Sequence, residues 1–177
     1  MTIHDPNRIR AEFGALTIQQ LIATMNDGHL SLTPVFQRES VWKDKDRKRL
    51  IESIFEGYPV PSIFLYRRDE DGVPVYEVVD GKQRLETIFM FVGIGRYRGH
   101  RFEADIRVPG TGERRRLDWT WLAKKRLTEP FLTYRFQTVE VTGELGEIID
   151  LFVRINSTGK ILTGAETDTI ETMRGIL

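Results

Sequence analysis

The chain has no cysteine. Disulfides, thiolate metal sites and cysteine nucleophiles are therefore excluded. Only three histidines are present, His4, His29 and His100, too far apart in sequence to form a local metal motif. No apolar run approaches the roughly 20 residues of a membrane-spanning helix. The opening Met1-Thr2-Ile3-His4-Asp5-Pro6 lacks the charged-then-apolar layout of a signal peptide. A soluble cytoplasmic protein with no membrane partner is expected.

Net charge is missing too, with 26 Lys and Arg against 26 Asp and Glu, but the balance conceals an asymmetry. Residues 1–95 hold 12 basic against 14 acidic side chains, residues 96–126 hold 10 against 4, and residues 127–177 hold 4 against 8. The middle is basic. At 177 residues, with 40% hydrophobic and 29% charged residues, the composition is that of one globular domain. A domain of this size buries about 70% of the surface its unfolded chain exposes.

The most informative stretch runs from Val75 to Phe89. Val75, Tyr76, Val78 and Val79 are strand formers, whereas Leu85, Ile88, Phe89 and Val92 recur at helical spacing. The period changes near Asp80, so a strand is expected to turn directly into a helix. Two readings of the corner are open. In the first, Asp80 is the N-cap and Gln83, three residues on, completes a capping box. In the second, Gly81, Lys82 and Arg84 form an anion cradle, because cations in a first turn cost about 0.3–1 kcal/mol each unless something negative offsets them.

The run Val-Val-Asp-Gly-Lys-Gln-Arg-Leu-Glu-Thr-Ile (residues 78–88) resembles the DGQQR signature of the N-terminal domain of GmrSD-type modification-dependent restriction proteins, with Lys82 in place of the first Gln. Two further stretches match in order: Thr33-Pro34-Val35-Phe36-Gln37-Arg38 followed by Trp42, and Phe152-Val153-Arg154-Ile155-Asn156 followed by Gly159, Leu162 and Glu166. The resemblance implies an α+β, ParB/sulfiredoxin-like domain with a small mixed sheet flanked by helices. It also implies binding and hydrolysis of a nucleoside triphosphate in anti-phage DNA restriction. A nuclease domain or subunit is the implied partner, and its histidine-rich motif is absent from these 177 residues.

On either side of the corner the signals are more ordinary. Thr17 and Gln20 form a capping box for a helix carrying Leu21, Ile22 and Met25. A helix is expected from about Asp44 to Glu56, with Lys45, Arg47, Lys48 and Arg49 on a solvated face and Gly57, Pro59 and Pro61 as stop signals. Ser62–Tyr66 and Val75–Val79 read as a hairpin across Asp69-Glu70-Asp71-Gly72. Residues 96–126 read as a basic insertion. Within it Gly112-Glu113-Arg114-Arg115 spells the ParB phosphate box, but without a buried strand leading in or an apolar helix following, so a hairpin tip or surface loop is expected. Phe131–Val141 alternates as a strand with no evident partner. Glu144 opens an amphipathic helix ending near Asn156, and Thr163 and Glu166 cap a last one.

In the expected site Arg38, Gly81, Lys82, Arg84, Arg154 and Asn156 bind the nucleotide and Asp80 holds Mg2+. Asp80, Gln83 and Arg84 carry catalysis, Gln83 by orienting the attacking water. An alternative function is a DNA-binding module sensing modified DNA through Arg114, Arg115, Arg116, Lys124 and Lys125. The tryptophans beside that strip, Trp119 and Trp121, either join it or pack inward. A ParB-like DNA nickase ranks last, since no paired metal carboxylates stand out.

Overall fold

The computed structural model describes residues 9–32, 42–100 and 102–157. The chain begins with strand β1 (Arg10–Thr17), which runs without a loop into helix α1 (Ile18–Asn26). The Thr17 hydroxyl accepts from the Gln20 N–H at 3.1 Å and the Gln20 side chain accepts from the Thr17 N–H at 2.9 Å, so the expected capping box is formed. β2 is a two-residue strand (Leu30–Ser31). Helix α2 (Asp44–Phe55) starts where Asp46 accepts from the Lys43 N–H at 3.0 Å. It buries Leu50, Ile51 and Ile54. Arg47 departs from the expected solvated face: it is 8% exposed and donates to the Thr87 hydroxyl at 3.1 Å.

β3 (Ile63–Glu70) and β4 (Val73–Asp80) form the expected antiparallel hairpin. Its turn is Asp71-Gly72, both at positive φ, the backbone that matches the twist of paired strands. Near the other end the pairing slips. Phe64 faces Asp80 while Leu65 faces Val78, which leaves Val79 as an extra residue on β4. Such a bulge bends its strand and re-aims the chain beyond it. That chain is helix α3 (Lys82–Val92), separated from β4 by Gly81 alone.

A 3₁₀ turn (Gly95–Tyr97) leads to a second hairpin, β5 (Glu103–Arg107) and β6 (Arg114–Asp118), then helix α4 (Trp119–Lys125). Of Gly112–Arg115, expected as a hairpin tip or surface loop, only Gly112 and Glu113 lie outside the strands, at the end of a turn closed by Val108 donating to Glu113 at 2.8 Å, whereas Arg114 and Arg115 already belong to β6. The strand expected from Phe131 begins later. A short helix α5 (Glu129–Leu132) comes first, with Pro130 in its first turn, where no backbone donor is needed. It places Phe131 against Phe55, Phe91 and Trp119 at ring separations of 5.3–5.5 Å. β7 (Arg135–Thr142) and helix α6 (Leu145–Ser157) complete the described chain.

The main sheet is mixed, in the order β1-β7-β3-β4-β2. β7, whose partner the sequence left open, pairs antiparallel with β1 and parallel with β3. The fold is thus α+β, a five-stranded sheet with helices on both faces. One face packs Ile63, Leu65, Val78 and Phe136 against α1, α2, α3 and α5, with the second hairpin joined to the same core. The other packs Tyr66, Val79, Val139 and Val141 under Ile148 of α6. Phe89, 0% exposed on α3, anchors the first core; truncating so large a side chain to Ala costs about 3–5 kcal/mol.

Candidate functional site

The corner between β4 and α3 is built by three side chains that hold the chain to itself. Gly81 is the residue preceding the helix, at φ 96°, and no side-chain cap hydrogen bond is made there among the described residues. The capping box expected from Asp80 and Gln83 is therefore absent. Asp80 remains the last residue of β4, where its Oδ2 accepts from Arg84 Nη2 at 2.7 Å. Gln83 Oε1 accepts instead from the backbone N–H of Trp42 at 2.8 Å, a contact across 41 residues of chain. Both side chains point away from the amides they were expected to cap, because each has a stronger or more distant partner to satisfy.

Arg84 doubles back over the first turn. Its side chain is 13% exposed, and Nη2 is shared between Asp80 and the Ser62 carbonyl, the latter at 3.0 Å. Its Nε is buried without a hydrogen-bond partner. Gly81 is required by this packing. A Cβ there would stand 3.2 Å from Ile63 Cγ1 and 3.2 Å from Arg84 Nη2, in a backbone conformation that side chains disfavour. The space beside the glycine thus belongs to the protein's own arginine. Lys82, half-buried beside it, has no ion-pair partner among the described residues.

One turn further along α3 lies a second polar cluster, which sequence reasoning missed. Glu86 is 5% exposed and accepts from Arg96 Nη2 at 2.5 Å, and the same nitrogen reaches the Tyr97 hydroxyl at 2.7 Å. Burial pushes the Tyr97 phenol up from its ordinary value, and the hydrogen bond to Tyr97 raises Arg96. The signal available was weak: a glutamate on the apolar side of α3 ahead of an arginine-tyrosine pair.

The other expected ligands are placed apart. Arg38 and the rest of residues 33–38 lie outside the described residues, as do Gly159, Leu162 and Glu166, and of Asn156 only its place in the last turn of α6 is described. Arg154 lines a cavity of about 340 Å3 with Ile9, Glu147, Asp150 and Leu151, on the α6 side of the sheet. Asp80, Gly81, Lys82, Gln83 and Arg84 are brought together; Arg154 faces a different hollow.

The basic insertion spends part of its charge on helix α2 and part on its own carboxylates. Arg107 pairs with Glu56 of α2 at 3.0 Å, and Arg114 lies 3.8 Å from Glu56 and 4.0 Å from Glu52. Arg116 is 3.5 Å from Asp105 and Arg115 is 3.8 Å from Glu113. Arg115 and Lys125 both approach the Trp121 ring, at 5.8 and 6.0 Å from its centroid. Trp119 packs inward against Phe91 and Phe131. Lys124 and Lys125 occupy the last turn of α4, where the helix dipole favours cations. No group of three His, Asp or Glu side chains able to hold a metal occurs among the described residues, and none of the described helices is long and apolar enough to cross a membrane.

Compared with known proteins, the chain matches no curated sequence. It does match the family described as GmrSD restriction endonuclease, N-terminal domain, over residues 18–167. That span takes in α1, the whole β3–β4–α3 unit and α6, so the corner lies inside it. The chain belongs to the GmrSD restriction endonuclease N-terminal domain family.

Proposed function

We propose that the chain is the nucleoside triphosphate-binding, and hydrolysing, regulatory domain of a DNA restriction system, with the phosphates seated on the N-terminus of α3. One observation carries this reading. Among the described residues the helix begins without a side-chain cap and yet holds two cations in its first turn, Lys82 without a counter-ion and Arg84 with a buried Nε that has no hydrogen-bond partner. An uncapped helix end leaves several N–H groups without acceptors, and a polyanion supplies them. Lys82 is the side chain free to move onto it. Arg84, anchored by Asp80 and Ser62, acts as a fixed charge behind the turn.

The described residues fit Mg2+ only in company with phosphate. Asp80 is the one carboxylate at the corner and has committed Oδ2 to Arg84, so Oδ1 remains. Mg2+ in phosphate sites is commonly held by one or two carboxylates together with the phosphate oxygens, and when bound it neutralises charge that develops there. Gln83 Oε1 has a second lone pair left after Trp42, enough to accept a hydrogen bond from an attacking water.

Calorimetric titration of the chain with ATP, GTP, CTP and UTP, each with and without Mg2+, tests the reading. Binding of at least one nucleotide is expected, with a loss of tenfold or more in Lys82→Ala. No heat with any of the four overturns it.

A second reading, DNA contact by the insertion, has its own support. Lys124 and Lys125 form no ion pair among the described residues, whereas Arg114, Arg115 and Arg116 each have a carboxylate within 4.0 Å. On that reading the Lys124-Lys125 pair leads. DNA binding that weakens steeply with salt, and more in Lys124→Ala with Lys125→Ala than in Arg116→Ala, would separate it from a purely nucleotide-binding role.

A further inference from the structure

The sheet has two edges, and they are unlike. β2 is two residues long, whereas β1 has eight residues paired to β7 on one side only among the described strands. Long strand edges invite pairing, and proteins usually protect them with bulges, proline or inward-pointing charge. β1 has neither a bulge nor a proline, since its register with β7 is unbroken from Arg10 to Thr17, and its charged residues are Arg10 and Glu12. At its middle stands Phe13, 83% exposed, the most exposed large apolar side chain among the described residues. It shares a face of the sheet with Ala11 and Ala15, which are too small to shield it.

This strand is complementary to itself. A two-fold axis through Phe13, perpendicular to the sheet, pairs β1 antiparallel with its own copy over almost its full length. Phe13 then meets Phe13 of the second copy, and each Ala11 faces the other chain's Ala15. On the opposite face Glu12 falls against Gly14 and Arg10 against Leu16, so no two like charges stand directly opposed. Shifting the axis by one residue to Glu12 would set the two Glu12 side chains against each other. Aromatic cross-strand pairs are among the most favourable contacts a sheet offers, and this one covers two exposed rings at once.

We infer that β1 is a homodimerisation edge, joining two five-stranded sheets into one ten-stranded sheet through the Phe13 pair. The interface is strand-sized, smaller than the roughly 1,600 Å2 of a standard stable complex, so the dimer is concentration-dependent. It lies at the opposite side of the sheet from the Gly81 corner, with β7 and β3 between, and it is independent of the nucleotide reading.

The absence of native cysteine makes the register testable. In the paired strands residue 11 faces residue 15 of the second copy at about 4.5–5.5 Å, within disulfide reach, whereas 11 and 11 of the two copies lie four residues apart, about 13 Å. Under mild oxidation the double variant Ala11→Cys with Ala15→Cys is expected to form a covalent dimer at least an order of magnitude faster than either single variant. Light scattering on the unmodified chain is expected to show the mass doubling as concentration rises, and Phe13→Lys to hold it at the monomer value, with a melting midpoint equal to that of the unmodified chain in dilute, monomeric solution. An unmodified chain that stays monomeric up to about 1 mM, or a double variant that crosslinks no faster than the single ones, overturns the inference.

Discussion

Arg84 reaches back across its own helical turn to Asp80, 2.7 Å away, and the same nitrogen holds the Ser62 carbonyl at 3.0 Å. A residue that a nucleotide would meet is thereby part of the scaffold. Charged hydrogen bonds of this kind contribute about 1.5–3 kcal/mol each, so Arg84→Ala is expected to cost about 2–3 kcal/mol without any ligand and to lower Tm by roughly 4–10 °C. Thermal unfolding of the ligand-free protein checks it. Loss of nucleotide binding in this variant alone therefore says little about direct contact.

Lys82 separates the two effects. It sits with no counter-ion among the described residues at the positive end of a helix, where reversing its charge should help folding by about 0.3–1 kcal/mol. Lys82→Glu is expected to raise Tm slightly while abolishing triphosphate affinity. Melting curves and calorimetry on the same sample read the opposite signs, and a fall in both would return Lys82 to a structural role.

Gln83 ties the start of α3 to Trp42, just ahead of α2. Replacing it with Ala leaves the Trp42 N–H without its acceptor, at a cost of about 1–3 kcal/mol, whereas Gln83→Glu keeps an oxygen in place and should restore most of the loss. Hydrogen exchange at the Trp42 amide, faster in the Ala variant and near its original rate in the Glu variant, is the direct measurement.

Four tyrosines, Tyr66, Tyr76, Tyr97 and Tyr134, have pKa values raised above 10.0, each chiefly by burial. In the unfolded chain they ionise first. Their contribution to stability is therefore intact below about pH 10, the unfolded value, and is lost as pH rises through the folded values. Denaturant midpoints should be flat from neutral pH to about 10 and fall beyond it, and absorbance of the ionised phenols should lag behind that of free tyrosine.

The parts of the fold that the sequence makes legible are those whose signal is local. Thr17 and Gln20 cap a helix with their own side chains, and Asp71-Gly72 supplies the turn its hairpin needs. β1 escaped notice because Arg10–Gly14 is exposed throughout, and a strand at an edge draws its order from β7 rather than from alternation of its own. The expected strand at Phe131 yielded to α5 because Phe131 is drawn into an aromatic cluster with Phe55 and Phe91. At the corner the residue types were legible and their partners were not. Asp80 and Gln83 have the spacing of a capping box, but an arginine four residues on and an amide 41 residues back compete for the same oxygens. Part of the charge of residues 96–126 has partners the local sequence does not show, since Arg107 and Arg114 meet Glu56 and Glu52 on α2, far upstream, and Arg96 meets Glu86 on α3.

The extra residue at Val79 gives the corner a dependence on chain length rather than on chemistry. Strand side chains alternate, so one residue more or fewer ahead of Asp80 exchanges the two sides of everything that leaves the sheet there. Relatives lacking that residue would launch α3 on a different heading even with Asp-Gly-Lys-Gln-Arg spelled identically, and a search keyed to those five letters would not distinguish them.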